Sequence, residues 1–232
     1  MIDTRVGLDM NIKEDRFKSN KILVDNFFQI IDDIKPTCVF EIGAFSAEFS
    51  RNIKIKHPEI KSFAFEANPY NFKHFNKLLK FEDLGINYIN KAISDKSDEV
   101  YFLIQKRIND AEISPIRGNN SIMSRNCENI EYEEVKVDSI SLSDFIKENS
   151  IADDVIVLWI DCEGYNEFVL NGCKEILNRV YAIFIEVEEK NFWKNQWLEE
   201  DVRNFLTNNG FHLSSRDGEY ERQYNQIYLK NI

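Results

Sequence analysis

An uninterrupted apolar run that ends at Ile160 passes straight into Asp161-Cys162-Glu163-Gly164, and a helical pattern follows. Such a run, without alternation, reads as a strand buried on both faces, as in a parallel sheet. In open α/β sheets, ligands bind beyond the carboxyl ends of the strands. Asp161 and Glu163 stand at that end, so chemistry is expected there. The alternative is that Asp161 only caps the next helix.

The same pattern recurs along the chain. Cys38 to Gly43, Lys61 to Glu66, Ile86 to Asn90 and Tyr181 to Val187 read as further strands. Helical stripes lie among them: from Ser19 or Asn20 to Ile34, Ala47 to Lys56, Tyr70 to Phe81, Ser141 or Ser143 through Ile146, Glu167 to Arg179, and Leu198 to Asn208. Alternating strands and helices predict an α/β fold with a mostly parallel sheet and helices on both faces. Phe211 to Ser215 and Gln226 to Lys230 read as a closing antiparallel pair. Residues 1–18 read as a loose arm, so the expected organisation is an arm and helix over 1–35 and one domain over 36–232. Between short strands at Glu99–Ile104 and Glu133–Val137, the polar stretch 105–130 reads as a long loop, a lid or acceptor-binding insertion. Acceptor choice is assigned to that insertion and to the hairpin around Gly218 to Tyr224.

The net charge of -11 argues against nucleic acid or an anionic membrane as the main partner. The cysteines, Cys38, Cys127, Cys162 and Cys173, form no CxxC pair, and no histidine lies at metal-site spacing from them. Met1 to Asn20 is polar and mixed in charge, unlike a signal peptide, and no run is long enough to span a membrane. A cytoplasmic location is expected.

Four of the strands end in an acid: Glu41, Glu66, Asp161 and Glu186. In a parallel sheet these ends share one edge. A row of carboxylates suits a cationic centre, or hydroxyls to be gripped, and suits a phosphate poorly. The turn Glu41-Ile42-Gly43-Ala44-Phe45-Ser46-Ala47 keeps only one glycine of the G-x-G-x-x-G dinucleotide fingerprint, and no Walker lysine is present. Glu66 nevertheless ends the next strand, where an acid grips ribose hydroxyls. A ribose ligand without a pyrophosphate fits both facts, and S-adenosyl-L-methionine is such a ligand.

In order along the chain, Val39-Phe40-Glu41-Ile42-Gly43-Ala44, Phe65-Glu66-Ala67-Asn68-Pro69, Lys91-Ala92-Ile93-Ser94-Asp95, Ile160-Asp161-Cys162-Glu163-Gly164-Tyr165-Asn166-Glu167 and Ile185-Glu186-Val187 resemble the blocks of the FkbM-type S-adenosylmethionine-dependent methyltransferases. The resemblance spans about residues 36–230. Where the family usually has Asp, Asn and Gly in the first turn, this chain has Glu41, Phe45 and Ala47. The resemblance implies a Rossmann-like class I methyltransferase fold, with a mostly parallel seven-stranded sheet and an antiparallel C-terminal strand. It also implies methyl transfer to an oxygen, with a sugar hydroxyl on a nucleotide sugar or surface glycan as the acceptor. A cofactor site is then expected from Glu41, Gly43, Ala44, Phe45, Glu66, Ala67, Asn68, Ala92, Ile93, Ser121 and Asp161.

Loss of the hydroxyl proton calls for a base or a metal ion. Asp161 is the first candidate, as base or as anchor for the cofactor amino group, and Glu163, Glu186 and His212 follow. Three oxygen ligands also suit Mg²⁺; no ligand spacing is diagnostic, so no metal ligands are assigned. Trp193 and Trp197, four apart, read as helix packing. The alternative function is a non-catalytic adenosyl-ligand or glycan-binding module, which would grip ribose without a base.

Overall fold

The computed structural model describes residues 2–151, 155–218 and 222–231. The tip of the last hairpin, residues 219–221, thus lies outside the described residues. Strand β1 (Ile2–Asp3) and helix α1 (Lys13–Ile34) open the chain. Alternation follows: β2 (Cys38–Ile42), α2 (Glu48–Lys56), β3 (Lys61–Phe65), α3 (Pro69–Leu79), β4 (Ile86–Ile89). Next come β5 (Ala92–Ile93), β6 (Asp98–Ile108), β7 (Ala111–Glu112), β8 (Ile130–Ile140) and α4 (Leu142–Glu148). The chain closes with β9 (Ile156–Ile160), α5 (Asn166–Gly172), β10 (Val180–Glu188), α6 (Glu199–Asn208), β11 (Phe211–Arg216) and β12 (Gln223–Lys230).

The main sheet has the order β1-β11-β12-β10-β9-β2-β3-β4. Strands β4, β3, β2, β9 and β10 run parallel, and β12 is antiparallel to both β10 and β11. Seven strands were expected; the two residues of β1 add an eighth at the β11 edge. The chain leaves β2 toward β3 on one side and returns later to β9 on the other, so the topological switch point lies between β2 and β9. That is where an open α/β sheet binds its ligands.

Burial on both faces explains the unbroken apolar runs. All of β2 is buried, and in β9 only Trp159 is less than fully so. On one face α1 and α2 bring Leu23, Phe27, Phe49 and Ile53 against Val39, Val157 and Phe184. On the other, Phe145, Val169, Leu170, Val202 and Leu206, from α4, α5 and α6, cover Phe40, Leu158 and Ile183. At 1.5–3 kcal/mol per buried large apolar side chain, this double layer holds the sheet, and with it the level at which its acids end.

Three expectations change. The arm is docked, not loose: β1 pairs with β11, and the Thr4 hydroxyl lies 2.8 Å from that of Ser19. Ser19 is therefore a buried residue inside α1, which begins seven residues earlier than a Ser19 cap would require. The strands flanking the insertion are longer than expected: β6 and β8 pair antiparallel from Asp98–Ser139 to Ile108–Ile130 and β7 adds two residues, while residues 113–129 of the insertion remain outside the strands. Many of these ribbon residues are charged and half-exposed, which hides the strand period from a hydrophobicity reading. The expected helix 167–179 divides into α5 and a 3₁₀ turn, Lys174–Arg179. It divides at Gly172, where a Cβ would stand 2.0 Å from the Ser94 carbonyl.

Candidate functional site

Register places the acids. Ile42 pairs with both Phe65 and Ile160, and Ile160 pairs with Ile185. Glu66, Gly43, Asp161 and Glu186 are each one residue further along and so lie level across four adjacent strands. With strands ≈ 4.8 Å apart, the row spans about 14 Å. Glu41 does not belong to it. It pairs with Ala64 and Trp159, two positions deeper, and its carboxylate accepts the amides of Phe49 (3.2 Å) and Ser50 (2.8 Å) at the start of α2. It caps a helix that has no side-chain bond from Ala47 at its N-cap. Burial pushes its pKa up to about 7, against the lowering effect of those amides.

Gly43 sets the closeness of β2 and β9. Its φ is +80°, and a Cβ there would stand 1.8 Å from the Asp161 carbonyl oxygen. The Asp161 amide donates to the Ile42 carbonyl at 2.9 Å, continuing the ladder past the strand end. Glu163 (φ +49°) and Gly164 (φ +81°) then turn the chain sharply. Trp193 fits under that turn, and a Cβ on Gly164 would stand 2.5 Å from its ring. Trp193 is fully buried and belongs to no helix, so helix packing was the wrong reading; it supports the Asp161–Gly164 loop.

Two cavities flank this switch point. One, of about 170 Å³, has Glu66 on one side, Asp161 and Glu163 on the other, and Phe65, Ile93, Phe102 and Ile122 as apolar walls. Ala67 and Ala92 line it too. The second, of about 270 Å³, is lined by Glu41, Ala44, Phe49 and residues of α1. Small-molecule sites begin at ~300 Å³, which neither reaches alone. The two share Gly43, Phe45 and Asp161 in their walls, and taken together their volumes pass that size. A nucleoside carrying an amino-acid chain suits such a two-lobed cleft.

The Glu66 carboxylate accepts the Phe45 amide at 2.6 Å, the Asn68 amide at 2.8 Å and the Asn71 side chain at 3.3 Å. Burial outweighs these bonds and raises its pKa to about 7. Phe45 (φ +46°) packs its ring against Phe75, 4.6 Å between centroids. Asn68 does not line either cavity. It caps α3 through the Tyr70 amide (2.9 Å) and donates to the Pro115 carbonyl (2.9 Å). Asn71 holds Arg117 by two bonds of 3.0 Å. Together they fasten the loop after β7 beside the cleft, where Gly118 and Asn120 join the lining. Ser121 also lies outside the lining; its hydroxyl donates to the Glu163 carbonyl at 2.7 Å and so fixes the acidic turn.

Asp161, Glu163 and Glu186 each bring an oxygen within 4.8 Å of the others. Asp161 opens to the cleft, yet protein around it raises its pKa, while the hydrogen bond with Glu186 opposes the rise. Glu163 is raised further, by burial and by the charge of Asp161, and Arg125 offsets part of this from 3.9 Å. Oε2 of Glu163 is buried and accepts no hydrogen bond among the described residues. Glu186 accepts from Gln223 at 3.0 Å.

Sequence reasoning missed Glu188, which is 1% exposed, and burial beside Asp161 raises its pKa to about 8. The signal was present, since Glu188 follows Glu186 by two, the strand period that returns a side chain to the same face. Arg125 was missed as well; its guanidinium stacks on Trp193 at 4.0 Å, a pairing between distant segments. His212 does not join the site. It pairs with Leu229, itself opposite Ala182, four positions before Glu186, so it lies roughly 13 Å down the sheet. Its Nδ1 meets Asn231 at 2.7 Å.

The family model described as Methyltransferase FkbM domain matches residues 40–213. No curated protein matches the sequence. Among solved structures, precorrin-6Y C5,15-methyltransferase from Geobacter metallireducens is similar at 13% identity, over 84% of this chain and 80% of that one, with a TM-score of 0.44. A Streptococcus pneumoniae methyltransferase in complex with S-adenosyl-L-methionine is similar at 12% identity, over 83% and 65%, with a TM-score of 0.44. WbdD is similar at 12% identity, over 91% of this chain and 40% of that one, with a TM-score of 0.48.

Proposed function

The chain belongs to the FkbM methyltransferase family, and from that premise we propose that it transfers a methyl group from S-adenosylmethionine to a hydroxyl oxygen of a sugar, on a nucleotide sugar or a surface glycan. The observation that carries the reading is the level row of Glu66, Gly43, Asp161 and Glu186 across the switch point. S-adenosylmethionine supplies a methyl carbon already activated by its sulfonium. The protein's work is then positioning, proton removal and exclusion of water.

Glu66 takes the ribose hydroxyls. The Phe45 and Asn68 amides fix its carboxylate before any ligand arrives. Phe65, Ile93, Phe102 and Ile122 offer the base an apolar slot. The acidic row supplies a negative field for a cationic centre. Asp161, opening to both cavities, is assigned the acceptor's proton, or else the cofactor's amino group. Its raised pKa brings it nearer the working range of a general base. Asp161, Glu163 and Glu186 are also close enough to share a hard cation, so transfer is to be assayed with and without Mg²⁺.

The test is calorimetric titration with S-adenosylhomocysteine. Micromolar binding in the wild type, lost in Glu66→Ala, supports the assignment. No heat and no thermal shift at millimolar ligand would sink it. Methyl transfer to nucleotide sugars separates an enzyme from a binding module.

A further inference from the structure

A third cavity, of about 420 Å³, lies near the end of β10 and has the opposite charge. Four of the chain's ten arginines line it: Arg5, Arg16, Arg216 and Arg222. In a chain of net charge -11 this concentration is unusual. Among the described residues at the cavity, the anions leave an excess of positive charge. Asp3 pairs with Arg5 at 2.6 Å, and Glu189 lies 3.8 Å from Arg216. Asp217, next to Arg216, is fully buried and occupied with the Asn225 amide (2.7 Å) and Asn20 (3.0 Å). Among the described residues, the Arg16 guanidinium bonds only a carbonyl, that of Met10, at 2.9 Å. Nε of Arg216 is buried and makes no hydrogen bond among the described residues, while its guanidinium plane is held 3.9 Å over Tyr224.

The position matters as much as the charge. Glu189, on the cavity wall, is three residues beyond Glu186, about 10 Å along an extended chain. Tyr224, on the same wall, donates to Glu189 at 2.7 Å, and its neighbour Gln223 donates to Glu186 at 3.0 Å. The ends of β10 and β12 therefore border both sites, with Gln223 turned to the face of Glu186 and Tyr224 to the opposite face. Planar guanidinium groups bind phosphate oxygens in pairs.

We propose that the Arg5–Arg16–Arg216–Arg222 cavity holds a phosphate group of the methyl acceptor, whose hydroxyl reaches the carboxylate row past the end of β10. This rests on the methyltransferase reading and deepens it, selecting a soluble phosphorylated sugar over a neutral glycan. The negative charge of the whole chain disfavours an anionic lipid surface as the source of that phosphate.

The test uses the full chain and two titrations, inorganic pyrophosphate and S-adenosylhomocysteine, on the wild type and on the Arg16→Gln/Arg222→Gln variant. Neither residue belongs to the carboxylate row or its two cavities. Pyrophosphate binding that weakens at least tenfold in the variant, with S-adenosylhomocysteine affinity within twofold, supports the proposal. Pyrophosphate that does not bind the wild type at millimolar concentration, or binds both proteins equally, overturns it. Arginine-dependent pyrophosphate binding without S-adenosylhomocysteine binding keeps the anion site and removes the methyltransferase reading. If the double variant does not fold, Arg222→Gln alone, at an exposed position, is read by the same criteria.

Discussion

Replacing Gly43 by alanine tests whether close approach of β2 and β9 builds the site. Two costs combine. The first is conformational: an alanine at φ +80° costs about 1 kcal/mol. The second is steric. The new Cβ would begin 1.8 Å from the Asp161 carbonyl oxygen and must move beyond 3.0 Å. That displacement strains or breaks the 2.9 Å bond from the Asp161 amide to Ile42, worth about 1 kcal/mol, and overpacking adds about 1–3 kcal/mol. The total is roughly 3–5 kcal/mol. At ~2–4 °C per kcal/mol for a domain of this size, the melting temperature should fall by at least roughly 6 °C. Gly210→Ala is the control, since φ is +84° there but nothing lies within 4 Å of the new Cβ. It carries the conformational cost alone, with an expected fall of roughly 2–4 °C. The assay is thermal unfolding of both variants, followed by S-adenosylhomocysteine titration below the lower transition. Gly43→Ala should also bind at least tenfold more weakly, because Asp161 is displaced. Equal melting temperatures for the two variants would refute the steric argument, and unchanged binding would separate Gly43 from the site.

Asp161→Asn should reduce methyl transfer by at least ~10²-fold while S-adenosylhomocysteine affinity changes less than tenfold, if Asp161 is the base; a parallel loss of affinity would make it the cofactor's anchor. Burial raises the folded pKa of Glu188 to about 8, against about 4.5 for an unburied glutamate, so its stabilising, protonated form is fully present below about pH 4.5 and lost as pH rises through 8. Glu188→Gln should therefore melt within roughly 1 °C of wild type at pH 4 and several degrees higher at pH 8.5; a gain that is independent of pH would contradict the assignment. Asn68→Ala removes the cap on α3 and the bond to Pro115, about 2 kcal/mol together, and should lower the melting temperature by roughly 4–8 °C. His212→Ala should leave methyl transfer unchanged, since register sets it down the sheet from Glu186; a hundredfold loss would contradict that placement.

The sequence by itself determined the parallel core, because strands covered on both faces must be almost wholly apolar: β9 is so throughout, and β2 is so except for Glu41. It also determined that acids end three of those strands, and that a glycine follows β2. These features are local: a run, its end and the next residue. Whether an acid joins the row depends on register. Glu41 looked equivalent to Glu66 and Asp161, yet two strand positions place it on the amides of α2. His212 was equally undecidable, because a strand's sequence does not say which end of the sheet each residue occupies. Segments far apart in the chain were beyond local reading altogether. Trp193 under Gly164, Arg125 over Trp193, and four arginines drawn from residues 5 to 222 into one cavity exist only after the chain has packed. The physical reason is that hydrophobic periodicity reports which face of an element is covered, while register and loop packing decide which polar groups meet.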